Sequence, residues 1–112
     1  MNNNLSLKLT HLYPEEMNIY GDMGNILTLK KRCEWRGIEL KIENVGKGKL
    51  KNNLDADIYF MGGGQDDDMY GVFEDMLEFK KDQVKKEFEN DKVFLLICGA
   101  FELFGKYFLD SK

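Results

Sequence analysis

The chain has 112 residues, room for one domain with a modest core, and its 43% hydrophobic and 32% charged residues are ordinary for a soluble globular protein. A net charge of -4 and a pI near 5.0 argue against a nucleic-acid partner, whose phosphates an acidic surface repels. Two cysteines without metal-ligand spacing, a lone histidine and no apolar run long enough for a bilayer exclude a disulfide scaffold, a histidine-based metal centre and membrane insertion.

The opening Met1-Asn2-Asn3-Asn4 has no basic segment followed by a long apolar core. No signal peptide is therefore expected, and the cysteine usage suits a reducing, cytoplasmic setting. Leu5, Leu7 and Leu9 alternate with Ser6, Lys8 and Thr10, the period of a strand that continues through Tyr13 and stops at Pro14. His11 reads as a hydrogen-bonded residue near the strand end.

Glu15 to Asn25 reads as a loop, with Asp22 or Asn25 capping a helix from about Ile26 to Arg36. Ile26, Leu29 and Cys33 share its inner face, which makes Cys33 core filling. Lys30, Lys31, Arg32 and Arg36 lie towards its C-terminus, where the dipole favours cations, and Gly37 stops it. A second strand alternates Ile38, Leu40 and Ile42 with Glu39, Lys41 and Glu43. Asn44 to Asn53, with Gly46, Gly48 and three lysines, reads as a solvated loop; it lacks the pattern of a phosphate-binding loop.

Asp57 to Met61 is a short buried strand running into Gly62-Gly63-Gly64-Gln65-Asp66-Asp67-Asp68. Three glycines at a strand's carboxyl end let backbone amides approach a ligand, as in an oxyanion hole; the alternative is a flexible turn capped by Asp67 or Asp68. A helix over Met69 to Glu89 places Phe73, Leu77, Val84 and Phe88 on one face, with Glu74, Glu78, Lys80, Lys81, Lys85 and Lys86 on a solvated surface.

Val93 to Ile97 is then a buried strand leading directly into Cys98-Gly99-Ala100 and an apolar-periodic segment, Phe101 to Leu109. A strand, a cysteine, a small pair and a helix describe a nucleophile elbow, with the helix dipole lowering the thiol pKa. The other reading is a buried structural cysteine closing a core strand. The alternation of strands and helices predicts an α/β fold built on a parallel sheet.

Tyr20-Gly21-Asp22-Met23-Gly24-Asn25, the Gly62–Asp66 loop and the Ile97–Gly105 elbow together resemble a class I (triad-type) glutamine amidotransferase domain of the cobyric acid synthase-like branch. Trp35-Arg36-Gly37-Ile38 fits as well. Within the branch the first motif is most similar to the glutaminase subunits that serve lipid II amidation, with the cobalamin-biosynthesis amidotransferases as the alternative. The resemblance spans nearly the whole chain and implies a flavodoxin-like, three-layer, doubly wound parallel sheet, here cut after about four strands, with residues 1–112 the N-terminal half of the domain. It implies Cys98 as nucleophile towards glutamine, and Gly62, Gly63, Gly64, Gln65 and Gly99 as oxyanion- and substrate-binding positions. It implies no cofactor or metal, and a partner: a Mur-ligase-like synthetase subunit or the missing C-terminal half.

Departures from the family pattern are Ala100 and Glu102, where a second glycine and a glutamine are usual, and Met69, where a glutamine is common. The family's catalytic histidine lies beyond this chain, and His11 does not match it. The 112 residues alone are therefore expected to be inactive, and the Val93–Ile97 strand to lie at an open edge. Two further readings stay open: a non-catalytic scaffold of the same fold, and an unrelated flavodoxin-like domain with a chance Cys-Gly turn.

Overall fold

The computed structural model describes residues 5–17, 23–64, 66–97, 100 and 104–105, with backbone alone for Asp66 and Asp67. Four strands, β1 (Leu5–Leu12), β2 (Ile38–Val45), β3 (Ile58–Met61) and β4 (Val93–Leu96), form one parallel sheet in the order β2-β1-β3-β4. Helix α1 (Met23–Trp35) links β1 to β2. Helices α2 (Asp66–Asp75) and α3 (Lys81–Glu89), joined through a π-helical turn at Met76–Lys80, link β3 to β4.

Strand alternation sorts the core into two clusters. Leu9, Leu40, Phe60 and Ile26 pack on the α1 side, with Leu29, Cys33 and Ile58 partly buried against them. Leu12, Tyr59, Met61, Val72, Met76 and Val84 pack on the α2–α3 side, where Ala100 and Phe104 join them. Connections that run opposite ways across a sheet with one handedness fall on opposite faces, so the reversal of direction at β1 produces three layers. The same reversal opens a crevice at the carboxyl ends of β1 and β3, where ligands of open α/β sheets bind. The expected α/β doubly wound sheet is therefore the observed one.

Several boundaries differ from those expected. Helix α1 starts at Met23, so Asn25 lies within it, and the second helical stretch starts at Asp66 rather than Met69. Asn44 and Val45 belong to β2, paired with His11 and Leu12, not to the following loop. Asp57 precedes β3 but fixes its register: its backbone N–H donates to the Lys8 carbonyl, and its carboxylate accepts the Lys8 N–H (both 2.9 Å). Ile97 follows β4 and still donates its N–H to the Met61 carbonyl at 3.1 Å.

The largest correction concerns the α2–α3 surface. Lys80, expected in solvent, is 1% exposed, whereas Leu77, expected in the core, is exposed. The buried row is Val72, Met76, Lys80 and Val84. Each step of four over-rotates by about 40° on a helix of 3.6 residues per turn. The wider π turn takes up that drift and swings Lys80 inward and Leu77 outward.

Among the described residues β4 lies at the sheet edge, as expected, but it is not the buried strand its apolar run predicts: with no neighbour beyond it, Val93 is 53% and Leu95 37% exposed. Among the described residues no helix is long and apolar enough to cross a membrane.

Candidate active site

Because the four strands are parallel, β1, β3 and β4 all deliver their exits to one end of the sheet. The β3 exit is the triple-glycine bend. Gly62 and Gly63 are buried and Gly64 is half-buried. The β4 exit runs beside it: Met61 pairs with Leu96, and the Ile97 N–H bond to Met61 brings the chain to position 97 alongside Gly62. The Ala100 N–H donates to the Ile97 carbonyl at 3.1 Å, so the residues on either side of 98–99 are themselves close. Cys98, Gly99 and Gln65 lie outside the described residues.

The β1 exit supplies the third wall. Tyr13 takes a left-handed backbone, φ 54°, at the residue before Pro14, and its carbonyl accepts the Met17 N–H at 2.9 Å. This tight turn buries Met17 against the β3 exit. A Cβ at Gly64 would sit 2.5 Å from Met17 Sδ and 3.0 Å from the Glu16 carbonyl oxygen. Glycine at 64 thus makes room chiefly for the Met17 side chain and, more narrowly, for the Glu16 carbonyl, a reason separate from ligand approach. Gly64→Ala is expected to displace the Tyr13–Met17 turn and lower stability by about 1–3 kcal/mol. Gly46→Ala, where nothing lies within 4 Å, serves as the neutral comparison, both read by denaturant unfolding.

A buried polar cluster supports this turn from behind, and sequence reasoning missed it. Asp75, at the end of α2, accepts from Tyr13 Oη at 2.7 Å, Lys80 Nζ at 2.5 Å and the Gly48 N–H at 2.6 Å. Lys80 Nζ also donates to the Gly48 carbonyl at 2.8 Å and lies 5.0 Å from the centre of the Tyr13 ring. Burial alone pushes the Asp75 carboxyl up, but hydrogen bonds from Lys80, Tyr13 and Gly48 outweigh it and hold the pKa below the ordinary 3.8. Burial, then the bond to Asp75, drives the Tyr13 phenol far above its usual range, so it stays a donor. One visible signal was the spacing: Asp75 and Lys80 are five apart, which fits a π turn and not the i,i+4 pairing of an α-helix.

His11 is fully buried on β1, its ring edge-on to Phe60 at 5.3 Å between centroids. Cys33 is half-buried beneath α1, as core filling requires. A cleft of about 500 Å³ lies between the carboxyl-end half of β2 and the loop that follows it. Its charged lining is mixed, Lys8, Lys47, Lys49 and Lys51 against Glu43 and Asp55. The site is better sought at the strand exits, where backbone amides converge, than in this solvated groove.

Residues 8–112 match the CobB/CobQ-like glutamine amidotransferase domain. The chain belongs to this family. It is also similar to two curated proteins, each named lipid II isoglutaminyl synthase (glutamine-hydrolyzing) subunit GatD. The relative from Streptococcus pneumoniae (strain ATCC BAA-255 / R6) is 39% identical over 105 residues, 94% of this chain and 40% of the relative. That from Staphylococcus aureus (strain N315) is 27% identical over 103 residues, 92% of this chain and 42% of the relative. The chain therefore spans about two fifths of the length of these relatives.

Proposed function

We propose that this chain is the N-terminal half of a glutaminase subunit that releases ammonia from glutamine for amidation of the peptidoglycan precursor lipid II. The observation that carries the reading is the pairing of β3 with β4, which sets the glycine bend and the approach to position 98 side by side at one end of the sheet. The family match and the two relatives' names supply the chemistry.

In this account the Cys98 thiolate attacks the carboxamide carbon of glutamine. Backbone N–H groups of the Gly62–Gly64 bend and of Gly99 receive the oxyanion as it forms, and Gln65 borders the substrate. Collapse of the tetrahedral adduct expels ammonia and leaves a glutamyl thioester, which water hydrolyses to glutamate. Proton transfer to the leaving amine needs a general acid. By the family pattern that group is a histidine from the portion of the domain beyond this stretch; His11, packed against Phe60, does not serve. The ammonia passes to a Mur-ligase-like synthetase subunit, where a carboxylate is activated.

The test compares the 112 residues with the full-length protein in an ammonia-release assay on glutamine. The expected result is turnover by the full-length protein and none by the 112 residues. Turnover by the 112 residues alone would overturn the division of labour. Its absence from the full-length protein, with the partner subunit present, would favour a non-catalytic scaffold.

A further inference from the structure

The outward face of α1 carries side chains that neither the core nor the proposed site uses. Ile26 points into the sheet, while Leu27, Lys31 and Trp35 follow at steps of four on the other side. Trp35 is 73% exposed and Leu27 61%. Together with Thr28 and Arg32 they line a shallow groove of about 280 Å³. The charge around it is segregated. Lys30, Lys31, Arg32 and Arg36 stand against one acid, Glu34, in a chain whose net charge is -4. Glu34 lies 3.9 Å from Lys31; Lys31 and Arg32 line the groove itself, and Lys30 and Arg36 are the neighbouring cations of the same segment.

We propose that this face seats the protein on an anionic bilayer surface. Trp35 and Leu27 enter the boundary between headgroups and acyl chains, and the lysine and arginine groups meet lipid phosphates. The contact is peripheral: α1 lies on the bilayer and does not cross it. Two features favour a membrane over a protein partner. Tryptophan and arginine suit a protein interface as well, but lysine is depleted there, and Lys31 stands between Leu27 and Trp35 in the same row. Long cationic side chains beside an exposed tryptophan can lay their stems on apolar surface while their heads reach phosphate. The placement also suits the proposed chemistry. Helix α1 packs through Ile26 on Leu9 of β1, Leu40 of β2 and Phe60 of β3, so a bilayer seated on its outer side lies along a face of the sheet and not across the strand exits. For its purpose the proposal rests on the lipid II reading, since a lipid-linked precursor is met at the bilayer surface.

The test is co-sedimentation of the full-length protein with vesicles of phosphatidylglycerol and phosphatidylcholine in equal parts, and with phosphatidylcholine alone. Binding to the anionic vesicles only, weakened by salt, is expected. Lys31→Glu combined with Arg32→Glu should weaken it at least about tenfold. Leu27→Ser combined with Trp35→Ser should do likewise. These positions are exposed, so unchanged circular dichroism is expected for each variant. Trp35 is the only tryptophan of this chain, and the emission difference between wild type and Trp35→Phe should shift to the blue on adding anionic vesicles. No binding, or binding unaffected by the α1 variants, overturns the proposal. So does a Trp35 signal that responds to a second protein subunit and not to vesicles. Ammonia release in the same preparation separates the two ideas: turnover without vesicle binding sinks the membrane face and leaves the glutaminase reading standing.

Discussion

Replacing Asp75 by asparagine is expected to lower the unfolding free energy by about 3–5 kcal/mol, the cost of breaking a buried ion pair from one side. The amide keeps the shape but removes the anion, leaving Lys80, 1% exposed, with the Gly48 carbonyl and the Tyr13 ring as its neighbours. Tyr13→Phe removes one donor and leaves the ion pair in place, so a smaller loss of about 1–2 kcal/mol is expected. The pH dependence separates the two. The folded-state pKa of Asp75 lies below the unfolded value of 3.8, so its stabilisation is complete above that value. It is lost as pH falls through the folded-state pKa. Asp75→Asn should therefore flatten the acid limb of a stability-against-pH curve, whereas Tyr13→Phe should keep most of it. Urea unfolding at a series of pH values checks both. Equal acid limbs in wild type and Asp75→Asn would mean that the carboxylate is not held as the structure draws it.

The second large effect is chemical. Cys98→Ser in the full-length protein is expected to lower the rate of glutamine hydrolysis at least about a thousandfold, with little change in KM. A serine hydroxyl is far less acidic than a thiol and does not ionise to an alkoxide at neutral pH. The glycine bend, which borders glutamine in the proposed reading, is untouched by the change. A variant retaining turnover would assign the nucleophile elsewhere.

The sequence made the sheet legible because its strands announce themselves twice. Leu7 and Leu9 pack on one face and Leu12 on the other, and Ile58 and Phe60 alternate with Tyr59 and Met61 in the same way. Gly62 to Gly64 ends a strand in the sequence and in the structure. The π turn was hidden because periodicity assumes a constant 3.6 residues per turn, and one wider turn exchanges the roles of Leu77 and Lys80. Buried charge was hidden for a related reason. A lysine on an amphipathic helix reads as solvent-facing unless its partners are seen, and those partners, Tyr13 and Gly48, lie 67 and 32 residues earlier in the chain. Gly64 was read as making room for a ligand, whereas Met17 and the Glu16 carbonyl already occupy the space beside it.

The most direct measurement is labelling by a glutamine analogue that carries an electrophilic ketone in place of the carboxamide. The full-length protein is treated, digested and mapped by mass spectrometry. Cys98 should be modified stoichiometrically and protected by glutamine, while Cys33, half-buried under α1, should remain unmodified. Labelling of Cys33 in preference to Cys98, or of Cys98 without protection by glutamine, would contradict the placement of a glutamine-reactive thiol beside the triple-glycine bend.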